Sequence, residues 1–262
     1  MDHEGLRVER RDAVAILTLD RPEAANGIDL TLGRALMQTA IALDEDRSVR
    51  AVILTGSGRF FCAGGDLKAF STFGDALPER LKELTTYLHA AIARFARMAP
   101  PVIAAVNGSA AGAGMSLALA CDLVIAEDSA AFTLAYTGAG LSPDGSSTWF
   151  LPRLIGDQRT RELMLTNRTL SARDAQAWGL ITRVVPDDGA LPAALELAEE
   201  LARGPTRAFG AVKTLLAESS TNGLESQLDL EGRTIAAMAA TEDGREGIAA
   251  FTEKRPPVFR GR

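Results

Sequence analysis

An α/β fold follows from three features of the 262-residue chain. Short apolar runs of strand length, such as "VRAVILTGS", "PVIAAVN" and "CDLVIAED", are separated by longer amphipathic stretches. That is the pattern of strands alternating with helices. Glycine-containing loops follow strand-like runs at 63–66, 108–114 and 138–145. From about Gly156 the patterning turns mainly helical. A hydrophobic content of 47% with 24% charged residues suits a globular chain that buries a real core.

The elements follow in order. "LRVERRDAVAILTLD" reads as two strands around a turn at Arg11 and Asp12, the first alternating and the second fully apolar. A polar loop, "RPEAANGIDL", leads to a helix over 31–46. "VRAVILTGS" is a buried strand, and "RFFCAGGDLKAF" a short strand that breaks at its glycines. Residues 79–98 read as a helix with basic residues outward. The apolar region 101–126 is interrupted by Asn107, Gly108, Ser109 and Asp122. It therefore reads as strand, turn, helix and strand, not as a membrane span. "DQRTRELMLTNRTLSARDAQAWG" gives two helices, with Ser171 as N-cap and Gly179 ending the second. "ITRVV" is a short strand before helices at 188–203, 206–218 and 222–241. The tail is a last amphipathic helix stopped by Pro256 and Pro257. Leu224, Leu228, Ile235 and Met238 suit a lid, a dimer surface or a self-packed appendage.

A net charge of −6 argues against general binding to nucleic acid or to an anionic membrane, which needs a basic face. Cys62 and Cys121 show neither metal spacing nor a disulfide framework, and the acidic "MDHEG" start lacks the marks of a signal peptide. A cytoplasmic protein without a metal is expected. His3 falls in a segment read as frayed.

The chemistry is less direct. "SAAGAGMSLALA" (109–120) is a glycine-rich turn opening a helix, and a helix start presents unpaired N–H groups. A dinucleotide fingerprint would need glycine at Leu117, and no GK[ST] is present. Singly, the glycine loops suit close packing and tight turns. Two together can aim N–H groups at one point, as an oxyanion hole does. His89 lies inside an amphipathic helix, where a lone histidine is usually a packing residue. Asp144 sits among glycines, serines and Pro143, and fits an Asx-type turn or the N-cap of "GSSTWFLPRL". Asp66 fits a cap for "LKAF". Ser116 and Cys62 have no identifiable base.

Several long, ordered segments resemble the crotonase, or enoyl-CoA hydratase/isomerase, superfamily through nearly the whole chain. They are "RPEAANGIDL", "AVILTGSGRFFCAGGDLK", "PPVIAAVNGSAAGAGMSLALACDLVIAEDSAAF", "GLSPDGSSTWFLPRLIG" and "EGIAAFTEKRPPVF". The resemblance implies a ClpP/crotonase-like spiral of ββα units that binds an acyl-CoA thioester, with a core over 1–200. A C-terminal helical region over 201–262 would trimerise, as a homotrimer or dimer of trimers. Coenzyme A would enter as part of the substrate, with no separate cofactor.

By this resemblance the backbone N–H groups of Gly65 and Ala113 bind the thioester oxygen. Glu23, Ala25 and Ala63 match positions that contact coenzyme A, and Lys68, Phe251 and Lys254 are candidates for its nucleotide end. The two glutamates of enoyl-CoA hydratases fall on Ser116 and Tyr136, neither of which replaces a general base near neutral pH. The loop "GLSPDG" is similar to that of isomerases which place an acid there. Asp144 is thereby expected to move a proton in a Δ3,Δ2-enoyl-CoA isomerase or ring-epoxyphenylacetyl-CoA isomerase-like reaction, with Ser116, Tyr136 and His89 at the substrate pocket. Three alternatives stand beside it. One is a hydratase despite the missing glutamates, and another a non-catalytic acyl-CoA binding protein. The third is a 4-chlorobenzoyl-CoA dehalogenase-like hydrolase using Asp144 and His89.

Overall fold

Two sheets, built in alternation along the chain, carry the fold in the computed structural model, which describes residues 3–262. β1 (Leu6–Arg11) and β2 (Val14–Leu19) pair antiparallel about a turn in which Asp12 takes a φ of 51°. Next come α1 (Leu30–Glu45), β3 (Ala51–Gly56), β4 (Phe60–Cys62), α2 (Leu67–Phe70) and α3 (Leu77–Arg97). β5 (Val102–Val106), β6 (Ser109–Ala111), α4 (Ala113–Leu119), β7 (Leu123–Glu127) and β8 (Ala131–Thr133) follow. The remainder is α5 (Ser147–Ile155), α6 (Asp157–Thr166), β9 (Leu170–Ser171), α7 (Ala172–Ala177) and β10 (Arg183–Val185). Four helices end the chain: α8 (Ala190–Ala202), α9 (Thr206–Ser219), α10 (Leu224–Ala239) and α11 (Glu242–Glu253).

The larger sheet runs β1-β2-β3-β5-β7-β10, and the smaller β4-β6-β8-β9. β3, β5 and β7 each leave the larger sheet and pass directly into a short strand of the smaller one. Helices then carry the chain back, so the unit ββα recurs as a spiral of parallel strands. β3 and β5 are buried on both faces, which is why they read as continuous apolar runs.

Boundaries read from the sequence shift by one or two residues. One reading is corrected outright: residues 109–111 form strand β6, where a turn was expected. Ser-Ala-Ala carries no strand pattern of its own; pairing with β4 and β8 on either side fixes it. His3 is likewise not frayed, since its N–H and carbonyl exchange hydrogen bonds with Leu6 at 3.0 Å.

The core has two parts. On one side of the larger sheet α1 and α3 close over Leu17, Leu36, Phe61, Leu88 and Phe95. On the other, Ala190, Ala194, Ala198 and Ala202 form a narrow ridge on α8, four residues apart. The small side chains let α8 lie close on Ile53, Ile103 and Ile125. α9 packs against α3, and α10 touches mainly α9 and α11. α10 buries none of its residues fully, and Leu224, Leu228 and Ile235 face outward. The tail after α11 is pinned: Arg260 and Gly261 donate backbone N–H bonds to the buried Asp243 carboxylate. Among the described residues no helix is long and apolar enough to cross a membrane. Cys62 and Cys121 are free and buried.

Candidate active site

Two glycine loops meet at the C-terminal ends of β4 and β6. Gly64 holds φ at +100° and Gly112 at +49°, conformations that L side chains rarely adopt. The loops touch: a Cβ at Gly64 would lie 2.9 Å from the Ala111 carbonyl oxygen and 3.3 Å from the Ala113 nitrogen. A Cβ at Gly114 would lie 2.2 Å from the Cys62 carbonyl oxygen, so the first turn of α4 rests on the end of β4. Ile28 brackets the first loop, donating its N–H to Gly64 at 2.7 Å and accepting from Asp66 at 3.0 Å.

Among the described residues, the N–H groups of Gly65 and Ala113 are donated to no protein acceptor. Ala113 opens α4, where helix geometry leaves the first N–H groups unpaired and the peptide dipoles favour a negative charge. Both residues line one cavity of about 310 Å³. Its walls are largely apolar, from Ile28, Phe70, Leu81, Leu84, Leu88 and Leu141. Thr85, Lys82, Ser142, Tyr136 and Asp144 supply the polar side chains.

Asp144 is the one carboxylate lining this cavity among the described residues. Its side chain is 27% exposed and does not cap α5, which begins at Ser147 with no side-chain cap bond. The Tyr136 hydroxyl donates to Asp144 Oδ1 at 2.5 Å. Burial, reinforced by the nearby Asp144 charge, pushes the Tyr136 hydroxyl well above the ordinary tyrosine range, so it stays a donor. His89 Nε2 lies 3.6 Å from Asp144 Oδ2 and accepts the Gly145 N–H at 3.2 Å.

Ser116 is wholly buried under the Asp144 loop, donating to the Asp144 carbonyl at 3.0 Å and lying 3.1 Å from the Tyr136 hydroxyl. His89 is half-exposed and lines a second groove between α3, α5 and α9, on the other side of that loop. Of the residues expected at the substrate pocket, only Tyr136 lines the cavity directly.

Ala63 lines the cavity too and donates its N–H to the Ala25 carbonyl at 3.0 Å, which joins two of the expected coenzyme A positions. Glu23 is exposed on the neighbouring turn, and Lys68 is exposed on α2. Phe251 and Lys254 sit exposed at the end of α11 and do not line their own chain's cavity. Sequence reasoning did not single out Leu81, Leu84 and Leu88, which wall the cavity from α3. Their helical spacing was visible, but the same spacing serves an ordinary core. The ion pairs from Arg21 to Asp29 and Asp66, at 3.0 and 3.1 Å, were also missed; they tie the entry loop to α2. Asp66 does cap α2, accepting the Ala69 N–H at 3.0 Å.

Known proteins share this chain's sequence and fold. A family model described as enoyl-CoA hydratase/isomerase matches residues 9–262. A Rhodobacter capsulatus protein named "Probable enoyl-CoA hydratase" is 43% identical over 262 residues, 100% of both chains. The 1,2-epoxyphenylacetyl-CoA isomerase of Escherichia coli is 40% identical over 251 residues, 95% of each chain. The crystal structure of an enoyl-CoA hydratase from Polaromonas sp. JS666 superposes with a TM-score of 0.93 at 36% identity, covering 97% of this chain and 99% of that one. The match in sequence spans the glycine loops and both sheets, and the match in structure spans the spiral, so the chain belongs to the enoyl-CoA hydratase/isomerase family of the crotonase superfamily.

Proposed function

We propose that the protein shifts a carbon–carbon double bond in an acyl-CoA thioester, using Asp144 as its single acid–base group. One observation carries this reading: the cavity combines two unpaired backbone N–H groups with one carboxylate. Asp144 takes a proton from C2 of a 3-enoyl thioester. The C2–H electron pair becomes part of a dienolate, whose negative charge rests on the thioester oxygen between Gly65 and Ala113. The same carboxyl then returns the proton at C4, and the double bond stands between C2 and C3. The charge on oxygen exists only while the proton is away, so the two donors stabilise the transition state more than the substrate. One such donor is worth about 3 kcal/mol of barrier. The step is redox-neutral and calls for no cofactor besides the coenzyme A of the substrate.

The apolar walls from α2 and α3 favour a hydrocarbon acyl group, and isomerisation of an acyl-CoA is the chemistry named for the Escherichia coli relative. Hydration needs a second carboxylate to activate water. Ser116 and Tyr136 occupy both hydratase glutamate positions, and the Asp144 loop covers Ser116. The free cysteines fit a cytoplasmic enzyme, and the outward apolar faces of α9 to α11 fit a trimer or dimer of trimers.

The test is to supply a 3-enoyl-CoA and follow the absorbance of the conjugated 2-enoyl thioester. The reading predicts its appearance with wild-type protein and no comparable hydration of crotonyl-CoA. Rapid hydration of crotonyl-CoA would overturn it. A second reading, hydrolytic dehalogenation, draws on the 3.6 Å approach of His89 Nε2 to Asp144 Oδ2. It predicts chloride release from 4-chlorobenzoyl-CoA that is lost in His89→Gln.

A further inference from the structure

The proposed reaction uses Asp144 but leaves the arrangement of its two oxygens unexplained. They are not equivalent. Oδ1 receives the Tyr136 hydroxyl at 2.5 Å. Oδ2 has only His89 Nε2 near it, at 3.6 Å, and that nitrogen is already occupied as the acceptor of the Gly145 N–H. Oδ2 therefore receives no hydrogen bond within the protein among the described residues.

The local backbone enforces this asymmetry. Ala135 holds a φ of 57°, uncommon without a glycine, and so turns the Tyr136 side chain back under the Asp144 loop. Gly145 follows Asp144 at a φ of +61°, and a Cβ there would fall 2.8 Å from the Ser116 Cβ. Serine at 116 is small enough to let the loop settle on α4, and its hydroxyl lies 3.1 Å from the tyrosine oxygen. An ionised carboxylate can only accept, so the proton in the 2.5 Å contact belongs to Tyr136.

We infer that Tyr136 is the positioning residue for Asp144: its hydroxyl holds Oδ1, which leaves Oδ2 as the oxygen that takes and returns the substrate proton. The titratable or charged groups around Asp144 are Tyr136, His89 opposite Oδ2, and Lys82 on the α3 wall of the same cavity. α4 and α5 present only the hydroxyls of Ser116 and Ser147 to the loop, both of which reach the Asp144 carbonyl at 3.0 Å. This assignment rests on the isomerase reading for its kinetic consequence, but not for its spectroscopic one.

Tyr136→Phe keeps the ring and removes the hydroxyl. Its loss frees the carboxylate to leave the reactive orientation, so the effect falls on turnover more than on binding. We expect kcat to fall about 10- to 100-fold with KM nearly unchanged. An unchanged kcat in Tyr136→Phe overturns the inference even where Asp144→Asn is inactive. Full activity of Asp144→Asn overturns the isomerase reading instead.

The chain has two tyrosines, so 3-fluorotyrosine incorporated in a Tyr87→Phe background reports on Tyr136 alone. Its fluorine resonance should shift in Asp144→Asn, without any substrate, because the hydroxyl's partner changes. A resonance insensitive to Asp144→Asn would sink the inference, and this probe preserves the tyrosine ring and hydroxyl should Tyr136→Phe fold poorly.

Discussion

Asp144 lines the cavity with its Oδ1 held by the Tyr136 hydroxyl at 2.5 Å. A carboxylate among glycines, serines and a proline fits a helix cap, yet Ser146 takes a φ of 70° and α5 starts without a side-chain cap. The carboxylate is thereby left for Tyr136 and the cavity. Gly65, Ala113 and Asp144 could be singled out through the segments that resemble the superfamily. The bond from Tyr136 to a loop eight residues later could not, because no periodicity reports where a side chain reaches across a turn. Gly64 offers the sharpest test of the oxyanion loops. Gly64→Ala forces a Cβ at φ +100° to within 2.9 Å of the Ala111 carbonyl oxygen. It should cost about 1–3 kcal/mol of stability from strain and reduce kcat by about 10-fold or more as the two donors move apart. Thermal unfolding and steady-state kinetics of that variant measure both effects.

At the scale of elements, legibility followed length and burial. β3 and β5 are five or six residues long and wholly or nearly buried, and their apolar runs announced them. β6 and β8 have three residues each, too few to show a period, and exist through pairing with neighbours from elsewhere in the chain. Asn26 holds a similar junction. Its buried side-chain amide donates to the carbonyls of Ser57 and Phe60, at 3.0 and 2.7 Å, and its oxygen accepts the Arg21 N–H at 2.9 Å. Asn26→Leu strands those backbone groups and should cost about 2–4 kcal/mol, read as a lowered denaturation midpoint.

α11 carries a pH-dependent clasp. Hydrogen bonds from Arg255, and then from the Val258 N–H, hold the Glu246 carboxyl down at about 2, below its ordinary 4.5. A depressed carboxylate pKa adds stability above the unfolded value, and that contribution fades as pH falls from 4.5 toward 2. Wild-type protein should therefore lose thermal stability over this window more steeply than Glu246→Gln, with the two curves converging at the acid end.

The whole molecule divides its apolar surface unevenly. The alanine ridge of α8 is consumed in packing on the larger sheet, whereas α9 to α11 leave Val212, Leu216, Leu224, Leu228, Ile235, Ile248 and Phe251 outward. Ile235 is 71% exposed and Phe251 86% exposed in the single chain. Apolar side chains gathered on a few adjacent helices mark an association surface. The proposed trimer or dimer of trimers predicts a sedimentation mass of three or six chains, and Leu228→Glu with Ile235→Glu should shift it toward one. A single chain in dilute wild-type samples would contradict the oligomer proposal. The helical character of this region could be read from the sequence. Which faces stay outward depends on how α10 lies against α9 and α11, and that required the structure.

The central claim is that one carboxylate, beside two backbone donors, moves a proton between two carbons of an acyl-CoA. Its most direct test is single-turnover conversion of a 3-enoyl-CoA to the conjugated 2-enoyl-CoA by wild-type protein and by Asp144→Asn. The account predicts that the wild type forms the conjugated thioester. Asp144→Asn should bind the thioester with similar affinity and form product at least 1000-fold more slowly, since the one group that can carry the proton is gone. Undiminished conversion by Asp144→Asn would contradict it.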